Sequence, residues 1–151
     1  MTGITPEGDA ASRDGFDPHR FFELARRVGH GRALGLEYRD SGPNWMELSL
    51  PWREELVGMP STGVLASGAI VSLIDTASGA AVWMGMGRFV PIVTLDLRLD
   101  YMRPALKGET VIARCECVKQ TRQITFIRGI AHGGDPSRPI AHSAATFMLS
   151  S

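Results

Sequence analysis

"ASGAIVSLIDTASGAAVWMG", Ala66 to Gly85, is a run of small and apolar residues broken by a single acid, Asp75. On a helical wheel Ile70, Leu73, Ile74, Ala77, Ala81 and Met84 form one apolar stripe, suited to packing on a sheet. Gly68, Ser72, Asp75, Thr76 and Gly79 gather on another side through spacings of three and four. Solvated helix faces carry Lys, Glu and Arg, and this helix has none between Ala66 and Gly87. The pattern predicts a long helix ending near Gly85 or Gly87, covered by its own sheet and by something else. A lone carboxylate in such a helix costs free energy unless it is solvated or used. Asp75 therefore either sits at a wet edge, bonded to Thr76 or Ser78, or is the group the helix positions.

The start of the helix carries a second feature. Ser67 and Gly68 follow a loop and present N–H groups at the positive end of the helix dipole. Such groups stabilise a carbonyl oxygen that gains negative charge. An acid two turns along the same face then serves as base or nucleophile, which points to acyl chemistry.

Downstream the chain is strands. In "PIVTLDLRLDYMRPA" (91–105), Val93, Leu95, Leu97, Leu99 and Tyr101 alternate with Thr94, Asp96, Arg98 and Asp100, which predicts one buried and one wet face. "ETVIARCECVKQ", "RQITFIRGIAH" and "PIAHSAATFML" supply three more strands, with GGDPSRP as the last turn. Upstream, Leu34-Leu36-Tyr38 and Trp45–Leu50 alternate around the turn DSGPN as a hairpin. Residues 53–63 read as a loop with Gly58, Pro60 and Gly63 as breakers. In DPHRFFELARRVGHG, Asp17 is the N-cap, Pro18 the first helical residue, and Gly29 or Gly31 the stop of a short helix. Residues 1–15 are polar, aperiodic and predict a mobile tail. Residues 16–151 form one domain of α+β class: a long helix against an antiparallel sheet of about six strands.

Composition narrows the function. Sixteen basic residues balance 16 acidic ones, with no long block of one sign, which argues against a nucleic-acid or anionic-membrane surface. Cys115 and Cys117, the only cysteines, share a strand face, cannot easily bridge each other and lack further ligands for a metal. Free thiols suit a reducing cytoplasm. No apolar run is read as spanning a membrane, and the N-terminus lacks a leader pattern.

"GVLASGAIVSLIDTASGAAV", "VTLDLRLDYMRPALKGE", "VKQTRQ" and "ATFML" occur in an order and at spacings that resemble the hotdog-fold thioesterases of the phenylacetate-pathway (PaaI) type, from about Arg32 to the C-terminus. The resemblance implies a long central helix wrapped by a curved antiparallel sheet, a homodimer or homotetramer, and hydrolysis of acyl-CoA at the subunit interface. It implies no cofactor, CoA being part of the substrate, and no metal. Asp75 matches the family's helix acid, which activates water or attacks the thioester itself. The N–H of Ser67, with Gly68, matches the oxyanion donor. Thr94 matches a Ser or Thr that reaches the site from the partner subunit, and Arg103 and Arg122 match basic positions near the CoA phosphates. Two positions depart: Ala66 stands where the family has His, and Pro60 near a loop Asn. These departures favour an alternative, a hotdog protein that binds acyl-CoA without turnover. A hydratase on the same fold pairs a His with the acid and fits less well. His30, His132 and His142 have no carboxylate or cysteine at catalytic spacing and read as structural or surface residues. Trp45, Trp52 and Trp83 read as core or interface.

Overall fold

A computed structural model describes residues 11–12 and 15–150 of the chain. Most of the expected N-terminal tail lies outside the described residues. Of it, Ala11–Ser12 (β1) pairs antiparallel with Gly15–Phe16 (β2). Two short helices follow, Pro18–Ala25 (α1) and Gly29–Leu34 (α2). Asp17 caps α1 as its residue type predicts, its carboxylate accepting from the Arg20 N–H at 3.0 Å. The predicted stop does not hold. Residues 29 and 31 belong to α2, and α1 ends at Ala25. Gly31 lets the two helices close on each other, because a Cβ there would lie 2.7 Å from the Ala25 carbonyl oxygen. Leu34, expected at the start of a strand, is the buried last residue of α2.

Glu37–Gly42 (β3) and Trp45–Leu50 (β4) form the predicted hairpin. Residues 53–63 are more ordered than a plain loop. A single 3₁₀ turn, Glu54–Leu56, leads into a small hairpin of Val57–Met59 (β5) and Val64–Leu65 (β6). Then comes the long helix, Ser67–Met86 (α3), closed by Gly87 in the left-handed conformation at φ 65°. The chain finishes with Ile92–Tyr101 (β7), Val111–Gln120 (β8), Ile124–His132 (β9) and Pro139–Leu149 (β10).

The main sheet is antiparallel with order β3-β4-β8-β9-β10-β7. Because α3 leaves from the β4 side and returns into β7, it crosses the sheet and leaves β7 at an edge. Its predicted stripe is the core: Leu73, Ile74, Ala77 and Ala81 are fully buried, against Met46, Leu48 and Leu50 of β4 and Val111, Ala113 and Cys115 of β8. Burial of such side chains stabilises by about 1.5–3 kcal/mol each. By length and composition α3 is also apolar enough to cross a membrane, contrary to the sequence reading, but it is the helix on which this core is built. Across β3, β4 and β8 the opposite sheet face carries polar contacts: Arg39 bonds Glu47 at 3.1 Å, and the Arg114 guanidinium lies 3.6 Å from the Trp45 ring centroid.

One strand departs from its simple alternation. The β7–β10 register slips between Thr146, opposite Asp96, and Phe147, opposite Thr94, so Leu95 is an extra, bulged residue. Beyond the bulge Leu97 and Leu99 pack on the core as predicted, whereas before it the sides exchange. Ile92 and Thr94 turn toward α3, and Val93 and Leu95 are left 46% and 52% exposed.

Candidate functional site

The bulge brings a polar group to Asp75. The Thr94 hydroxyl donates to Asp75 Oδ1 at 3.1 Å. Neither bond of the wet-edge reading forms, because the Thr76 hydroxyl donates to the Ser72 carbonyl at 2.7 Å and Ser78 turns inward to Cys115 Sγ at 3.4 Å. Thr94 was expected to reach the acid from a partner subunit. Here it does so within one chain.

Asp75, Thr76, Gly79 and Trp83 of α3 form one wall of a cavity of about 480 Å³. Ile92 and Thr94 of β7 and Phe147 of β10 form a second wall, and α1, α2 and the link between them close the third with Phe21, Phe22, Ala25, Val28 and His30. The cavity is mostly apolar and carries a few converging polar groups, the usual character of a small-molecule site. From Asp75 to Trp83 this side of α3 thus faces the chain's own N-terminal helices across the cavity, while Gly68 stays exposed. His30 Nε2 lies 3.1 Å from Ser72 Oγ, one turn before Asp75. Sequence reasoning set His30 aside because no carboxylate lies at catalytic spacing along the chain. It is folding of α2 onto α3 that carries it to the cavity, and no local pattern reports that. Trp83 was legible only as core or interface, and Phe21 only as part of the apolar face of a short helix; nothing local marked Phe22.

Ser67 and Gly68 are not at this cavity. Ser67 opens α3 after Ala66, which makes no side-chain cap, and its carbonyl accepts from the Tyr101 hydroxyl at 3.1 Å. Gly68 is exposed and a Cβ there would meet nothing within 4 Å. From Ser67 to Asp75 is eight residues, about 12 Å along the helix axis. One thioester carbonyl cannot touch both groups of a single chain.

The two arginines also lie outside the cavity. Arg103 is committed to structure: it makes two bonds to Glu109, at 2.7 and 3.0 Å, and others to the Arg138 and Pro104 carbonyls at 3.2 and 3.0 Å. This bidentate pair holds the Glu109 carboxyl below its ordinary range. Arg122 is exposed at the β8–β9 turn and shares a surface groove with Arg88, just beyond the C-terminus of α3. Burial pushes the Cys115 thiol up to about 12, so it stays protonated and inert, with a weak bond from Ser78 opposing the shift. No group of three or more His, Cys, Asp and Glu side chains is placed to hold a metal among the described residues.

Comparison with known proteins places these features in context. A family model described as the thioesterase superfamily matches residues 62–140, a span that contains α3, β7, β8 and β9. A putative esterase of Halobacterium salinarum is 36% identical over 81 residues, 52% of this chain and 53% of that protein, so the chain spans about half of that relative's length. The medium/long-chain acyl-CoA thioesterase YigI of Escherichia coli K12 is 28% identical over 131 residues, 78% of this chain and 83% of that one. A Pseudomonas aeruginosa protein of known crystal structure superposes with a TM-score of 0.75 at 37% identity, over 87% of this chain and 96% of its own.

Proposed function

Since the chain belongs to the thioesterase superfamily and has its hotdog fold, we propose that it hydrolyses acyl-CoA thioesters with Asp75 as the catalytic carboxylate. The observation that carries the reading is the Thr94–Asp75 pair in the wall of a mostly apolar cavity. Asp75 takes a proton from a water that attacks the thioester carbonyl, or attacks that carbonyl itself. In the second route a mixed anhydride forms, and water then cleaves it. Either route releases CoA as the thiol and the acyl group as the free acid. Thr94 fixes the orientation of the carboxylate by donating to one oxygen, which leaves the other for the reaction.

The oxyanion donor in this proposal is the N–H of Ser67, with Gly68 beside it, contributed by a second copy. A two-fold axis that sets two α3 helices antiparallel brings Ser67 of one to Asp75 of the other, spanning the 12 Å or so that separate them in one chain. The surface fits such a pairing. β7 is a ten-residue edge strand, and the apolar residues Val71, Val93, Leu95 and Tyr101 are between 37% and 52% exposed. Placement in the phenylacetate-pathway type belongs to the same proposal, as does contact of the CoA phosphates with Arg122 and its neighbour Arg88. Arg103 is the weaker candidate for that contact, its guanidinium being held by Glu109.

The other reading, acyl-CoA binding without turnover, is favoured by Ala66, whose methyl supplies no hydrogen bond at the helix start. A panel of acyl-CoAs separates the two. Release of free CoA supports the hydrolase, and ligand-induced rises in melting temperature without release support the binding protein.

A further inference from the structure

Asp75, Gly79 and Trp83 follow one another at spacings of four on α3 and line the same cavity. Asp75 stands at one end of this row and Trp83 at the other, eight residues or about 12 Å along the axis. Gly79 lies between them, buried and packed close to Ile92 and Phe147. A Cβ at this position would lie 3.2 Å from Ile92 Cδ1 and 3.7 Å from Phe147 Cε1, so a branched side chain there displaces Ile92 and narrows the cavity. The Trp83 ring is held in place. Its indole N–H donates to the Val90 carbonyl at 2.8 Å. Its ring centroid lies 4.6 Å from that of Phe89, 5.2 Å from Phe21 and 5.4 Å from Phe16. Aromatic contacts at these separations resist displacement.

We infer that Trp83 is a length stop for the acyl group, with Gly79 as the cavity-wall position whose enlargement shortens the space before it. The inference rests on the hydrolase reading for the position of the carbonyl at Asp75. An extended alkyl chain advances about 1.3 Å per carbon, given C–C bonds of about 1.5 Å. A row about 12 Å long therefore takes about eight to ten carbons before the indole blocks it. Phe22, Val28 and Ile92 supply apolar walls along the way. The substrate class assigned is a medium-length, unbranched acyl-CoA.

The test is a profile of kcat/KM against straight-chain acyl-CoAs of increasing length for the native chain, Trp83→Ala and Gly79→Val. In parallel, melting shifts are measured with non-hydrolysable thioether analogues of the same lengths. The native profile peaks near about nine carbons. Trp83→Ala moves the peak to longer chains, and Gly79→Val moves it to shorter ones. Each changes the long-to-short ratio by at least about tenfold, the scale of one or two methylenes fitted or refused. Gly79→Val keeps the test decisive if Trp83→Ala fails to fold. Turnover with the same peak in every folded variant overturns the length stop and leaves the hydrolase reading standing. Analogue binding that follows the predicted lengths, with no CoA released, overturns the hydrolase reading and leaves the length stop standing.

Discussion

Thr94 Oγ1 lies 3.1 Å from Asp75 Oδ1 and donates to it, and the contact exists because β7 carries one residue more than β10 at this point. Without the bulge, strict alternation would place Thr94 on the outer face with Asp96 and Arg98. A backbone irregularity on a strand thus orients the one acid of a neighbouring helix.

Thr94→Val is expected to lower kcat by about 10- to 100-fold, the equivalent of about 1.5–3 kcal/mol for a hydrogen bond to a charged group. KM should change little, and Thr94→Ser should restore most of the rate. Steady-state kinetics of the three proteins check this, and equal rates for Val and Thr would remove Thr94 from the site.

His30, in the cavity wall, bonds Ser72 and so holds α2 against α3. A net hydrogen bond of about 0.5–1.5 kcal/mol predicts that His30→Ala raises KM about 2- to 12-fold, with kcat less affected. Ser72→Ala should do the same, and the double variant should be no worse than either single one. Additive effects would show that the two side chains act separately.

The exposed side chains Val93 and Leu95 beside the β7 edge make assembly testable. The native chain, 16.4 kDa, is expected to scatter light as a dimer or larger. Leu95→Glu should shift it toward monomer and lower the rate in proportion, since the proposed oxyanion donor comes from the second copy. A fully active monomer would place Ser67 outside the reaction.

Acid stability tests the Arg103–Glu109 pair. The glutamate's folded pKa lies below its unfolded value, chiefly through the hydrogen bonds from Arg103. Its contribution is therefore present above the ordinary glutamate pKa, about 4.3, and is lost as pH falls through the depressed folded value. Glu109→Gln should lower Tm at neutral pH by roughly 2–4 °C for each kcal/mol lost, with about 1–3 kcal/mol at stake. The gap between native and variant should close on acidification. A gap that persists at the lowest pH would mean that packing, rather than charge, is what the substitution removes.

Much of the fold was legible because its signals are local. The stripe from Ile70 to Ala81 has helical period, Gly87 ends it, and β4, β8, β9 and β10 each fall where their apolar residues recur. The acid stood out because nothing else in α3 is charged. The signals that failed are those set by a neighbour. The sequence TLDLRLD (94–100) alternates without flaw, and only the pairing of β7 with β10 makes Leu95 surplus. The break between Ala25 and Gly29 depends on Gly31 packing against Ala25. His30 reaches Ser72 across 42 residues, a separation that no spacing rule covers. Arg103 was read for its motif, whereas its charge is spent on Glu109 six residues on.

The most direct measurement is the rate of CoA release by Asp75→Asn against the native chain, on an acyl-CoA that the native chain turns over. Asparagine keeps the size of the side chain and removes its basicity and its charge. A fall in kcat of about 10²- to 10⁴-fold, the range for loss of a general base, is predicted with the melting temperature near native. An unchanged rate would contradict the account and make Asp75 a structural residue.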